Sequence, residues 1–219
     1  MNTRLRIARL VIVIAGLAAW FSTQALIGSK PPPARDGGIG DAILNWTAPV
    51  NAWLTANPAP ANAVLIASSL GIDALGLFVI GITIFGRTVR PFLGIIILFS
   101  LRQLCQSLIS LPPIEGMIWH DTGVPTLLVT YGVSNDLFFS GHTALAVFGT
   151  LELARLGKPP IVILAILLGL FEVTAVIVLR AHYTMDVFAG AMTALFVGLI
   201  AEKIAMPVDR WLERVTSRA

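Results

Sequence analysis

The chain has 219 residues, of which 56% are hydrophobic and 12% charged, and its mean hydropathy is +0.85. This composition excludes a soluble globular domain and predicts a polytopic membrane protein. We interpret the net charge of +3 as a product of membrane topology rather than of nucleic-acid binding. Because Cys105 is the single cysteine, no intrachain disulfide is available.

Six segments are long and apolar enough to cross a membrane, since a span needs about 20 mostly apolar residues. They cover approximately residues 5–27, 62–85, 91–111, 138–156, 160–180 and 187–206. The predicted fold class is therefore an all-α bundle of six transmembrane helices, with residues 1–219 forming one membrane domain.

Lysine and arginine set the orientation, because they are retained on the cytoplasmic side in short loops. Eleven of the 15 would share one side: Arg4, Arg6, Arg9, Arg87, Arg90, Arg155, Lys158, Lys203, Arg210, Arg214 and Arg218. We expect an integral multi-pass protein with both termini in the cytoplasm. The first apolar run lacks a clear small-x-small cleavage pattern and is interpreted as a retained helix.

The first outer loop contains a candidate surface helix. Lys30-Pro31-Pro32-Pro33 would end the first span. From Asp41 to Asn57 apolar residues then recur at roughly helical spacing, with Trp46 and Trp53 among them. Tryptophan favours the headgroup level, so we predict a helix that anchors the loop at the surface, with a lid over the site as the alternative.

Two short motifs carry the chemistry. Ser140-Gly141-His142-Thr143 and His182-Tyr183-Thr184-x-Asp186 both stand where the chain re-enters the membrane from the outer side. Ionisable groups next to hydrocarbon are costly and usually functional. We therefore predict one site on the non-cytoplasmic face that contains both histidines.

Within this site the spacing indicates roles. His182 and Asp186 are four residues apart and share a helix face, so the carboxylate can accept the Nδ1 proton and leave Nε2 free to attack phosphorus. His142 is then suited to protonate the leaving alkoxide and later to deprotonate the incoming hydroxyl.

Four further residues are candidates for holding the phosphoryl oxygens. Ser140 and Gly141 stand where a helix opens, where backbone N–H groups favour an anion. Arg180 and Arg102 are candidate clamps because a guanidinium fits phosphate. Arg180 is the favoured one, since Arg102 lies about 15 Å of helix below the Pro112 boundary and could instead pair with a buried acid.

These residues resemble the sphingomyelin and ceramide phosphoethanolamine synthases, a branch of the type-2 phosphatidic acid phosphatase superfamily. The two catalytic motifs correspond to Asp136-x-x-x-Ser140-Gly141-His142-Thr143 and His182-Tyr183-Thr184-x-Asp186-Val187. Arg102 through Leu111-Pro112-Pro113 is similar to a third motif, and Pro31-Pro32-Pro33 weakly to a fourth. The chain departs from the synthases at Ser134-Asn135, where they carry Cys-Gly.

The resemblance implies a phosphotransferase that needs no metal or other cofactor and whose triad is His142, His182 and Asp186. Its partners would be a phospholipid donor and a lipid alcohol acceptor, either ceramide or a diacylglycerol-like lipid. Asp136 and Tyr183, within the motifs, would support the triad. The headgroup is left open.

Three alternatives also remain open. A lipid phosphatase or a phospholipase C-like hydrolase would use the same triad with water as acceptor, and a non-catalytic transporter or scaffold would line a path with the buried charges. A zinc site would combine the triad with His120, although His120 is more simply a headgroup-level loop residue.

Glu152 and Glu172 could tune the site or bind partner helices, and for Asp73 we expect helix–helix hydrogen bonding.

Overall fold

The structure, a computed structural model, describes residues 3–29, 39–131 and 137–218, and these residues contain eight α-helices and no strand. In chain order they are α1 (Thr3–Gly28), α2 (Ala42–Trp46), α3 (Ala48–Ala56), α4 (Pro58–Phe85), α5 (Arg90–Leu108), α6 (Gly141–Ala154), α7 (Pro159–Val178) and α8 (Thr184–Arg218). Five of these, α1, α4, α5, α7 and α8, are long and apolar enough to cross a membrane. The predicted all-α fold is confirmed, and the protein is an integral membrane helical bundle.

The predicted fourth span, residues 138–156, is shorter in the structure. Helix α6 has 14 residues, or about 21 Å, whereas the hydrocarbon core is about 30 Å thick. The chain just before α6 is not helical, yet Leu137 and Ser140 are buried. Irregular backbone at membrane depth is tolerated where protein covers it, so this span does not have to be helical over its whole length.

The last helix is longer than predicted, because it continues through Pro207 to Arg218. A proline removes one backbone hydrogen bond from a helix interior, but contacts beyond it hold the helix in place. The Asp209 carboxylate accepts a 2.9 Å hydrogen bond from the Val89 amide and lies 3.8 Å from the Arg9 guanidinium.

Charged pairs collect at the end of the bundle where α6 finishes. Arg90 at the start of α5 donates to Glu152 at 2.6 Å, and Arg155 donates to Glu202 of α8 at 2.7 Å. Glu152 therefore joins helices rather than tuning the histidine site, which lies at the opposite end of α6. That this charged end faces the cytoplasm stays a prediction.

The predicted surface helix at residues 41–57 is present as two short helices. Pro49 lies in the first turn of α3, and since proline cannot donate a helical hydrogen bond, α2 and α3 are separate helices. Trp46 and Trp53 are 78% and 55% exposed. On the inner side, the Asn51 amide donates to the carbonyls of Gly116 and Val178 at 3.0 and 2.9 Å.

Two buried acids have partners that sequence reasoning did not assign. Asp73 of α4 accepts hydrogen bonds from the Leu127 and Leu128 amides at 2.7 and 2.8 Å. The expectation that it joins two helices is therefore wrong: it satisfies the backbone of the α5–α6 connection where that loop enters the bundle. Glu172 of α7 does join two helices, accepting a 2.6 Å hydrogen bond from the Ser68 hydroxyl of α4.

Candidate active site

Both predicted histidines line one small cavity near the start of α6. The cavity has a volume of about 50 Å³, which holds roughly two water molecules at about 30 Å³ each. Its polar lining includes Gln24, Arg102, His142 and His182, and its apolar lining includes Trp20, Phe99 and Trp119. The structure thus brings together residues from α1, α5, α6 and the segment before α8.

His182 and Asp186 are buried neighbours at the start of α8. His182 Nδ1 lies 3.7 Å from Asp186 Oδ2, and that oxygen accepts a 2.9 Å hydrogen bond from the Tyr183 amide. The histidine–carboxylate separation is longer than a hydrogen bond. The Ser140 amide donates to the Asp186 carbonyl at 3.0 Å, which fixes the two motifs against each other.

His142 occupies the first turn of α6. The ring of Trp119 meets it edge-on, with centroids 5.1 Å apart, and the Trp119 indole N–H is held by the Thr130 carbonyl at 3.1 Å. His142 Nε2 is buried and has no hydrogen-bond partner among the described residues. The imidazole therefore has a nitrogen free to exchange a proton with a substrate. Sequence reasoning missed Trp119, because no local pattern distinguishes it from a surface aromatic.

Arg102 lines the same cavity. Its Nε donates a 2.8 Å hydrogen bond to the Phe139 carbonyl, and a Cβ added to Gly141 would lie 3.1 Å from that Nε. Glycine at 141 therefore leaves the room in which the guanidinium approaches the start of α6 closely. This close approach places the positive charge of Arg102 beside the helix start, where an anion would also be favoured.

Arg180, the arginine favoured from sequence, faces a different pocket. It lines an outer pocket of about 520 Å³ with Tyr183 and Asp41, and its Nη1 donates to the Glu115 carbonyl at 2.6 Å. It is not among the residues that line the histidine cavity. Of the two arginines singled out from the sequence, Arg102 lines the histidine cavity and Arg180 does not.

Ser140 and Tyr183 act on the backbone in this structure. The Ser140 hydroxyl caps α6 by accepting a 3.3 Å hydrogen bond from the Thr143 amide. The Tyr183 hydroxyl donates to the Pro112 carbonyl at 3.0 Å. Both side chains hold the loops around the cavity rather than lining it.

Asp41 connects the outer helices to the site and was missed as a site residue. Its Oδ1 caps α2 by accepting from the Ile43 and Leu44 amides, and its two oxygens accept 2.6 Å hydrogen bonds from the Thr184 amide and hydroxyl. Partial burial alone would raise the pKa of this carboxyl, but these hydrogen bonds outweigh burial and lower the pKa below its usual value. An aspartate before an apolar helical run is a recognisable helix-capping signal.

We expect Asp41→Asn to remove an acid-sensitive attachment of the outer helices. A lowered folded-state pKa means that the carboxylate stabilises the fold above its unfolded pKa of about 3.9, and that this stabilisation is lost as the pH falls through the folded value. Wild-type protein should therefore show a change in tryptophan fluorescence or protease sensitivity of residues 39–57 on acidification below about pH 4. The same transition in Asp41→Asn would contradict this assignment.

The remaining candidates lie outside the cavity or outside the described residues. The exposed His120 pairs through Nε2 with the Asn62 side-chain oxygen at 2.9 Å. Asp136, Ser134-Asn135 and Pro31-Pro32-Pro33 fall outside the described residues. Within residues 3–29, 39–131 and 137–218, no three His, Cys, Asp or Glu side chains are grouped to hold a metal ion.

Comparison with known proteins identifies the family. A sequence model described as AtPDCT1/2 matches residues 40–203, which include both histidine motifs, Asp186 and Arg102. The chain belongs to the AtPDCT1/2 family. This is a family of phosphatidylcholine:diacylglycerol cholinephosphotransferases, so the protein is placed among the lipid phosphotransferases. No curated protein and no solved structure matches the chain.

Membership of the AtPDCT1/2 family corrects the resemblance drawn from the motifs. The sphingomyelin and ceramide phosphoethanolamine synthases are related lipid phosphotransferases but form a different family. The histidine motifs by themselves predict a reaction at phosphorus and do not specify which lipid alcohol is the acceptor. The family supports a lipid phosphotransferase in general, but it does not support ceramide as the acceptor.

Proposed function

We propose that this AtPDCT1/2 family protein transfers phosphocholine from phosphatidylcholine to diacylglycerol, with His142, His182 and Asp186 as the catalytic residues. The observation that carries the proposal is that both histidines and Arg102 line a single buried cavity, with Asp186 3.7 Å from His182. Family membership supports the donor and the acceptor. The clustering of basic residues at the opposite end of the bundle supports a site on the non-cytoplasmic face.

In the first step His182 Nε2 attacks the donor phosphorus. A bond forms between nitrogen and phosphorus, and the bond from phosphorus to the glycerol oxygen breaks. Protonated His142 gives its proton to that oxygen, so diacylglycerol leaves as a neutral alcohol. Asp186 stabilises the positive imidazole of His182, and the Arg102 guanidinium stabilises the phosphoryl oxygens.

In the second step a different diacylglycerol is the acceptor. Its hydroxyl gives a proton to neutral His142 as the oxygen attacks phosphorus, and the nitrogen–phosphorus bond to His182 breaks. Phosphatidylcholine is formed again and both histidines return to their starting protonation states. The two successive transfers leave the number of phosphodiester bonds unchanged, so the reaction requires no external energy source.

The small size of the cavity supports transfer over hydrolysis. A covered site limits the access of water to the phosphohistidine, which would otherwise be hydrolysed. The cavity of about 50 Å³ has room for only about two water molecules, whereas a lipid hydroxyl would enter from the bilayer oriented by its own chains.

A reconstitution assay tests the proposal. Purified protein in liposomes receives phosphatidylcholine labelled in its choline, together with diacylglycerol of distinguishable chain length, ceramide, or no acceptor. We expect label in phosphatidylcholine that carries the new chains, with the rate unchanged by EDTA. Label appearing in a ceramide product at an equal or higher rate would contradict the diacylglycerol assignment. Release of free phosphocholine as the main product would indicate a hydrolase.

A further inference from the structure

A groove on the lipid-facing surface runs between α1 and α5 beside the catalytic cavity. Its first part, of about 270 Å³, is lined by residues including Gly16, Ala19 and Ile96. Its second part, of about 370 Å³, is lined by residues including Leu26 and Leu104. Thr23 and Gln103 line both parts, so the two adjoin end to end.

Along α1 the groove has the length of an acyl chain in one leaflet. From Gly16 to Ile27 it follows 12 residues of α1, or about 17 Å, roughly half of the ~30 Å hydrocarbon thickness. On α1 it occupies the half that also contains Gln24 of the cavity, and on α5 its lining runs from Phe92 to Ser107, on both sides of Arg102. The groove therefore passes directly beside the site.

Two aromatic residues separate the groove from the cavity. Trp20 and Phe99 line both spaces, and their ring centroids are 4.7 Å apart. A cavity of about 50 Å³ is too small for a phosphocholine group, so a substrate has to displace part of the lining. Displacing these two rings would join the polar cavity to the apolar groove.

Trp20 also has an unused hydrogen-bond donor. The residue is 9% exposed, and its indole Nε1 is buried with no hydrogen-bond partner among the described residues. Buried tryptophan N–H groups usually find a partner. Trp20 lies between the apolar groove and the cavity that contains Arg102. In a diacyl lipid the ester carbonyls have the corresponding position, between the acyl chains and the phosphate.

We infer that the α1–α5 groove binds an acyl chain of the diacyl lipid substrate, with Trp20 donating a hydrogen bond to an ester carbonyl and the headgroup entering past Trp20 and Phe99. The inference rests on the proposed lipid transfer at the histidine cavity. Trp20 is a positioning residue in this arrangement, because it holds the glycerol backbone and does not touch the reacting phosphorus.

Neighbouring alanines on α1 provide a matched pair of variants. Ala19 lines the groove, whereas Ala18 is exposed and lines no part of it. Ala19→Trp should fill the groove and raise KM for dioleoylglycerol about tenfold, while KM for dioctanoylglycerol changes little. Ala18→Trp should change neither. An equal effect on both chain lengths, or an equal effect of both variants, would overturn the groove assignment.

Trp20→Phe removes the indole N–H and keeps an aromatic ring against Phe99. We expect KM for a diester lipid to rise roughly 3- to 10-fold, in keeping with the loss of one hydrogen bond, with kcat nearly unchanged. A diether analogue lacks the ester carbonyls, so its KM should be the same in wild type and in Trp20→Phe. A similar rise in KM for the diether in Trp20→Phe would contradict the proposed hydrogen bond to an ester carbonyl.

A binding measurement separates this inference from the proposed reaction. Phosphatidylcholine with a photoreactive group in one chain is cross-linked to the protein in liposomes, and the modified peptides are mapped. We expect cross-links within residues 16–27 and 92–107 that unlabelled phosphatidylcholine displaces and that Ala19→Trp, but not Ala18→Trp, abolishes. This result would stand even if no transfer to diacylglycerol were detected. Cross-links between two protein copies at the groove, or undisplaced labelling spread over all lipid-facing helices, would overturn it.

Discussion

His182→Ala is expected to lower phosphocholine transfer by at least about 10⁴-fold, since loss of a catalytic nucleophile removes the covalent route altogether. The cavity offers no substitute, because the second histidine that lines it, His142, serves as acid and base. The measurement is the rate of label exchange between phosphatidylcholine and diacylglycerol in liposomes. The fold should be retained, which the unfolding temperature of the purified variant checks.

The third histidine of the chain supplies the matched control. His120 is exposed and bound to Asn62, so His120→Ala should leave transfer within about twofold of wild type, as surface substitutions usually do. In the absence of acceptor, donor labelled at phosphorus should leave acid-labile label on wild-type protein and none on His182→Ala. Labelling of His182→Ala at the wild-type level, or transfer that survives this substitution, would exclude His182 as the nucleophile.

Arg102→Lys is expected to lower kcat about 10²- to 10³-fold, comparable to the loss of one donor that stabilises a developing oxyanion. Lysine keeps the positive charge but loses the planar fork that binds a phosphoryl group at two points. It also loses the 2.8 Å hydrogen bond to the Phe139 carbonyl, which fixes the guanidinium beside Gly141. The measurement is kcat and KM for transfer, with the unfolding temperature recorded alongside.

Arg180→Lys is the companion variant for this prediction. Arg180 lines the outer pocket and donates to the Glu115 carbonyl, so its replacement should change kcat less than tenfold. If Arg180→Lys lost more activity than Arg102→Lys at equal stability, the phosphate would have to be bound from the outer pocket. The structure-based choice between the two arginines would then be wrong.

The histidine motifs could be recognised from the sequence because their information is local. A spacing of four residues places His182 and Asp186 on one helix face. The number of membrane spans between the two motifs places His142 at the same end of the bundle. The structure brings both histidines to one cavity. The helical surface segment was predictable for the same reason, since its apolar spacing and its two tryptophans are contained within residues 41–57.

Which arginine lies beside the histidines was not predictable from local pattern. Arg102 was judged too deep because its depth was measured from Pro112, on the assumption that the site lies near the membrane surface. In the structure α5 ends at Leu108 and α6 begins only at Gly141, and Arg102 lines the same cavity as both histidines. Arg180 lies in the outer pocket instead. The partners of Asp73 and Trp119 depend in the same way on the path of the loop that precedes α6.

The shortness of α6 has a consequence for the membrane around the enzyme. Its 14 residues leave about 9 Å of a ~30 Å hydrocarbon core unspanned by this helix, and the shortfall is on the histidine side, because Arg155 and Glu202 pair at the other end. In the proposed reaction a headgroup would have to sink below its neighbours, or the leaflet would have to thin locally, for the headgroup to reach His142. Mismatch of this kind costs fractions of a kcal/mol per Å. We therefore expect the rate of headgroup exchange to depend on bilayer thickness, because of the length of this one helix.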